Sequence, residues 1–141
     1  MLVACATTPE ALQVKQFHLR TEAIVATDEP MLRMEIQRRL HGAVSGEERH
    51  QRLGQYFTIT WHDPAGKDTG EVEVVFEYQQ GSSASLVKKM SQKFPASDSS
   101  GVVEFAVIGK DYFIQGKVLT WKTTLFRNQR VVASRQSYLW Q

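Results

Sequence analysis

Cysteine is nearly missing from this chain: its 141 residues include one, Cys5. A lone thiol closes no disulfide within the chain and cannot by itself build a cysteine-based zinc site. An excess of one charge is missing too. Seventeen Lys and Arg stand against fifteen Asp and Glu, a formal net charge of +2. The basic residues are scattered from Lys15 to Arg135 in runs of two at most, so no stripe exists to track a phosphate backbone, and nucleic acid is not an expected partner. No stretch approaches the ~20 consecutive apolar residues that a membrane-spanning helix needs.

The usual catalytic patterns are absent as well. There is no glycine-rich phosphate loop and no helical zinc-protease motif. Gly42-Ala43-Val44-Ser45-Gly46 places its serine one residue too late for a nucleophile elbow, which leaves Ser45 without support as an activated serine. His18, His41, His50 and His62 include no two at a metal-ligand spacing on one element. Glu47 and His50 have the i, i+3 spacing of di-iron bundles, but that chemistry needs several convergent carboxylates, and here the pair occurs once in a polar stretch. Asp63 could orient His62 as a general base, yet no nucleophile accompanies them, and Asp63 also suits the start of a turn. Glu71, Glu73 and Glu77 alternate along one segment and read as a wet strand face rather than a glycosidase pair. The expectation is a non-enzyme with no catalytic residue, no metal ligand and no cofactor.

What the chain does contain is β pattern. Hydrophobic residues make up 42% and charged residues 23%, the balance of a globular domain long enough for its own core. Residues 13–20 alternate as a strand. Residues 56–62 are aromatic and β-branched, with Phe57, Ile59 and Trp61 on one face. Asp63-Pro64-Ala65-Gly66 reads as a β-turn. In residues 71–80, Val72, Val74, Phe76 and Tyr78 face one way and the acids the other, with only Val75 out of step, the sign of an antiparallel sheet. Residues 86–94 fit an edge strand guarded by lysines, or an amphipathic helical turn. Strands are expected over 102–108, 112–114, 117–126 and 131–140, with residues 127–130 as a tight hairpin. Residues 32–41 carry both periodicities; alternation of Leu32, Met34 and Ile36 in a β setting favours a strand, and a short helix is the alternative. Residues 45–55 read as a loop with room for one helical turn.

Seven or eight short strands separated by Gly, Pro, Asp and Ser turns predict a mostly β chain folded as an antiparallel β-sandwich, with residues 1–11 as a flexible tether and 12–141 as one domain. In length and rhythm the sandwich resembles the immunoglobulin-like and fibronectin-type domains, with Trp61 ending a central strand, although the paired inter-sheet cysteines of antibody domains are absent. Leu2-Val3-Ala4-Cys5, followed by the small and polar Ala6-Thr7-Thr8-Pro9, resembles the lipobox of bacterial lipoproteins. The basic and apolar regions of a secretory signal do not stand before Leu2, so only these four residues carry the likeness. The resemblance implies that Cys5 is lipidated and anchors the domain outside the cytoplasm, in the periplasm or at the outer membrane. The alternative is a free thiol in a cytoplasmic protein.

These readings converge on a structural or adaptor-like envelope lipoprotein domain, monomeric or weakly dimeric, touching the membrane only through its anchor and binding an envelope protein or glycan through a sheet face or edge. Trp61 and Trp121 fall in phase with Phe57, Ile59, Leu119 and Leu125 and are expected in the core. Trp140, close to the terminus, either seals the bottom of the sandwich or lies on a binding surface. A carbohydrate-binding module and a small enzyme are the competing expectations.

Overall fold

A computed structural model describes residues 10–19, 30–43, 45–83, 86–138 and 140. Seven strands and three helices are formed among them: β1 (Leu12–Leu19), α1 (Pro30–Leu40), α2 (Gly46–Gln51), β2 (Gly54–His62), β3 (Val72–Gln80), β4 (Lys88–Phe94), β5 (Ser100–Ile108), α3 (Gly109–Gln115), β6 (Val118–Arg127) and β7 (Arg130–Gln136). The strands make two antiparallel sheets, ordered β1-β2-β5 and β4-β3-β6-β7. The mostly β, two-sheet arrangement expected from strand rhythm is present.

The period-2 pattern decides which side chains meet. Leu12, Phe57, Ile59, Trp61, Phe105 and Val107 project from the three-stranded sheet against Val72, Val74, Phe76, Tyr78, Val118 and Leu125 of the other. The Phe57 and Phe76 rings lie 4.7 Å apart and Phe76 stacks on Phe105 at 5.6 Å. Each such fully buried side chain is worth about 2 kcal/mol relative to exposure. Trp61 is wholly buried and Trp121 packs partly buried against the same cluster, as their phase implied. Leu119 departs from that phase: the β3–β6 register shifts between Gln79 and Gln80, which turns Val118 inward and leaves Leu119 exposed. Gly101 permits the packing of Trp61, because a Cβ there would stand 2.6 Å from the indole nitrogen.

Two expectations are corrected. Residues 32–41 are not a strand: 32–40 lie in α1, the helix that was the alternative, and His41 follows in a turn. The alternation of Leu32, Met34 and Ile36 is incidental, since Leu32 and Met34 are exposed, while Ile36, Arg39 and Leu40, spaced i, i+3, i+4, are the buried set. Residues 112–114 do not resume a strand. Gly109, at φ +64, turns the chain into α3, and Phe113 and Ile114 stay exposed. The polar stretch after residue 45 holds the short helical segment it had room for: Ser45 caps α2, its hydroxyl accepting from the Glu48 N–H at 3.1 Å. Residues 86–94 resolve in favour of the edge strand β4, and the 127–130 hairpin forms with Asn128 and Gln129 both at positive φ.

Each end of the sandwich is closed by polar groups. At one end Arg127, 4% exposed, pairs with Asp63 at 2.8 Å and donates to the carbonyls of Gly70, Ala96 and Asp98. One guanidinium thereby ties the β2–β3 and β4–β5 connections to the end of β6. At the other end His18 and Tyr112 share a 2.6 Å hydrogen bond, the Gln55 side chain accepts from the Val118 N–H, and Lys88 pairs with Asp111 at 2.7 Å. Burial, reinforced by Asp111, pushes the Tyr78 phenol up to about 12.

Replacing Arg127 by leucine strands Asp63 and three carbonyls. Urea unfolding at neutral pH is expected to show a loss of about 3–5 kcal/mol; an unchanged midpoint would remove Arg127 from this role.

Candidate functional site

The outer face of the three-stranded sheet is covered along part of its length by α1. Ile36 and Leu40 pack on Leu19, Leu53 and Tyr56, with Phe17, Ala106 and Ile108 at the margin. Arg39 enters the same interface with its side chain 6% exposed. Its guanidinium lies 4.3 Å from the centre of the Tyr56 ring and 5.7 Å from that of Phe17, and it pairs with the Glu104 carboxylate on β5. Glu104 also accepts from the Thr58 hydroxyl at 3.3 Å. The desolvated cation thus gains both an aromatic face and a carboxylate, the combination that makes burying it tolerable.

The same helix carries its own charge ladder. Glu35 accepts from Arg38 at 2.9 Å and stands 3.7 Å from the Arg39 Nε, an i, i+3 and i, i+4 set. The Arg38 hydrogen bond, aided by the charges of Arg38, Arg39 and Lys15, holds the Glu35 carboxyl below its ordinary range of 4.5, and the same bond raises Arg38. The end of α1 is closed by Arg52, which donates to the Arg39 and His41 carbonyls, while the Tyr56 hydroxyl donates to the Arg52 carbonyl at 2.5 Å. Burial pushes the Tyr56 phenol up.

Fixing α1 in this way turns its other flank outward. Met31 is 74% exposed and Met34 64%, and with Leu32, Phe17, Lys15, Glu35 and Arg38 they line a groove of about 470 Å³ between helix and strand. Methionine is unbranched and polarisable, and suits surfaces that adapt to apolar partners. The groove continues past Met34 and Arg38 toward Gln37 and His41. Lys15 also borders a second cleft of about 570 Å³ over the edge of β1, with Gln13, Val14, Thr58, Thr60, Trp121, Glu10, Arg135 and Gln136. The α1 groove is apolar surface framed by a few charges, whereas the cleft over β1 is lined mostly by polar side chains, and both fall within the size range of ligand sites.

The described residues singled out in the sequence lie elsewhere. Cys5 is outside the described residues. Trp140 is half-buried in the turn after β7, its N–H bonded to the Ser137 carbonyl. Asp63 gives its carboxylate to Arg127, and the His62 backbone N–H bonds the Ala11 carbonyl at the end of the β1–β2 ladder. On α2, the His50 ring stacks on Phe113 at 4.2 Å and 5°. Among the described residues no three His, Cys, Asp or Glu are grouped to hold a metal. Glu71 and Glu73 border a depression of about 340 Å³ with Lys89, Lys93, Phe126, Asn128 and Gln129 over the floor of Val75, and Glu71 stands 3.6 Å from Lys93. The sequence reading missed the α1 groove. Its signal was the helical triplet Ile36, Arg39 and Leu40, hidden by the competing alternation.

Glu35 supplies a pH test of the platform. Because its folded pKa is lowered, its contribution is present above about pH 4.5 and lost as pH falls through the lowered value. Wild type is expected to exceed Glu35→Gln by no more than about 1 kcal/mol near neutrality, the gap closing on acidification. A gap that persists in acid would exclude the ionised carboxylate as its cause.

No family model matches the chain, and neither the curated proteins nor the solved structures compared with it include a match.

Proposed function

We propose that this is the folded domain of a bacterial envelope lipoprotein, anchored through Cys5, that acts as a non-enzymatic adaptor and binds another envelope protein at the α1–β1 face. The observation that carries the binding role is the groove itself. Three apolar side chains of one helix are exposed side by side, and the buried Arg39–Glu104 pair holds them there. Contiguous apolar surface of this kind marks interaction sites. The anchor rests on the lipobox-like Leu2-Val3-Ala4-Cys5. An immunoglobulin/fibronectin-like identity is supported by the strand order, in which β2 pairs β5 and β3 pairs β6 across the intervening strands, the Greek-key habit of such sandwiches.

The protein expressed in bacteria from its full native reading frame tests the anchor. The expected product begins at Cys5, is heavier by a diacylglyceryl group and an acyl chain, and partitions into detergent, whereas Cys5→Ser stays in the aqueous phase. A species retaining Met1 and a free thiol would overturn the lipoprotein reading.

A glycan ligand is the second reading, favoured by the depression over Val75, where the Phe126 ring is bordered by carboxylates, lysines and two carboxamides. Titration with soluble N-acetylglucosamine and glucose oligomers should then give saturable shifts that Phe126→Ala abolishes. The adaptor reading expects none.

A further inference from the structure

We infer that the edge of β1 left unpaired by the described residues accepts an added strand, and that its occupant is an extended segment of a partner protein carrying an acidic and an apolar side chain two residues apart. The inference rests on the reading of the domain as a protein-binding module and deepens it; it does not depend on the anchor.

The ladder fixes which backbone groups are on offer. The Ala11 carbonyl accepts from the His62 N–H, so Gln13, Lys15, Phe17 and Leu19 direct their N–H and C=O groups at β2. The even residues point away from the sheet. The Leu12 carbonyl confirms the phase, since it accepts from Arg135 of β7 at 3.2 Å. Val14 and Gln16, farther along, present two N–H and two C=O groups at the edge. A row of outward amides is matched by an extended backbone and by little else.

The edges of the two sheets differ in how they are guarded. β4 carries Lys88, Lys89 and Lys93, and β7 carries Arg130 and Arg135 and has a register shift in its pairing with β6. Charges and irregularities of this sort block strand pairing. β5 runs beside the lysine-bearing β4, and β1 runs beside β7, whose Arg135 covers the Leu12 end and leaves the edge at Val14 and Gln16. β1 makes eight consecutive pairs with no shift, contains no proline, and has one lysine.

Side chains then define the occupant. Lys15 and Phe17 share the outer face of β1, and toward an incoming strand they occupy non-hydrogen-bonded positions, where opposed side chains are closest. Lys15 makes no ion pair among the described residues and stands where the two clefts meet, so the residue opposite it should be acidic. The residue opposite Phe17 falls beside Met31, Leu32 and Met34 and should be apolar. A second copy fits poorly. β1 has no acidic residue, and its lysine is central, so antiparallel self-pairing brings two Lys15 ammonium groups together.

Fluorescence anisotropy of the full chain with a labelled heptapeptide, Thr-Val-Leu-Thr-Glu-Thr-Val, which in antiparallel pairing sets its Leu opposite Phe17 and its Glu opposite Lys15, tests this. Saturable binding is expected. It should weaken at least tenfold when the threonine between Glu and Leu, the residue facing Gln16, is N-methylated, and likewise when the peptide's Glu becomes Lys. Lys15→Glu should reverse the charge preference. Gln16→Pro, at an edge position whose N–H faces solvent, should abolish binding with the urea midpoint retained; the N-methylated peptide gives the same test on the wild-type fold should that variant not fold. No binding at millimolar peptide, or binding indifferent to N-methylation, overturns strand addition. So does a dimer that Gln16→Pro dissociates, which would make the occupant a second copy. A lipidated protein that fails to bind the peptide removes the strand site alone; a peptide-binding protein with an unmodified Cys5 removes the anchor alone.

Discussion

The guanidinium of Arg39 is the point from which the outer face of this domain is organised. A helix laid across a sheet is ordinarily held by apolar contact, which is non-directional and lets it slide or rotate. Arg39 removes that freedom. It reaches Glu104 on β5 while resting over Tyr56 on β2 and near Phe17 on β1, so one side chain reads the position of all three strands of the sheet. Ile36 and Leu40 supply burial on either side. The rotation of α1 that satisfies the buried charge is also the rotation that leaves Met31, Leu32 and Met34 in solvent.

Arg127 does comparable work in the opposite sense. It sits at an end of the sandwich, has a hydrogen-bond partner for each nitrogen, and binds three loop carbonyls that strand geometry leaves over. Buried backbone acceptors need donors, and here a single side chain supplies three of them. One arginine therefore builds a surface and the other closes a core. Neither carries the isolated polar reactivity of a catalytic group.

How much of this was legible in the chain varies with the kind of signal. The alternation in β3 and the aromatic run of β2 named the inner faces correctly, because period 2 has one reading when a face is uniformly apolar. Helix α1 was ambiguous because Leu32 and Met34 are apolar and exposed, which breaks the link between hydrophobicity and burial on which periodicity depends. The reason for their exposure is the groove, so the feature that misled the pattern is the one with functional content. The role of Arg39 was not legible, since a buried arginine inside a basic pair looks like a solvated face until its carboxylate, 65 residues away, is placed. Asp63 was noticed for the right reason, a carboxylate at a turn, but beside the wrong partner. Cys5 lies outside the described residues, and its lipidation is carried by the sequence alone.

The route of the chain between its first two strands has a kinetic side. β1 pairs with β2 along its whole length, yet residues 20–53, with α1 and α2 among them, lie between the two. Closing so long an intervening segment delays the ladder relative to the tight β6–β7 hairpin, whose turn is Asn128 and Gln129. Among the described residues β1 is also an edge strand, paired with another strand on one side only. The strand that borders both outer clefts is thus positioned to join the sheet late and to open early, and its amides belong at the fast-exchanging end of the protection spectrum while those of β2 and β3 lie at the slow end.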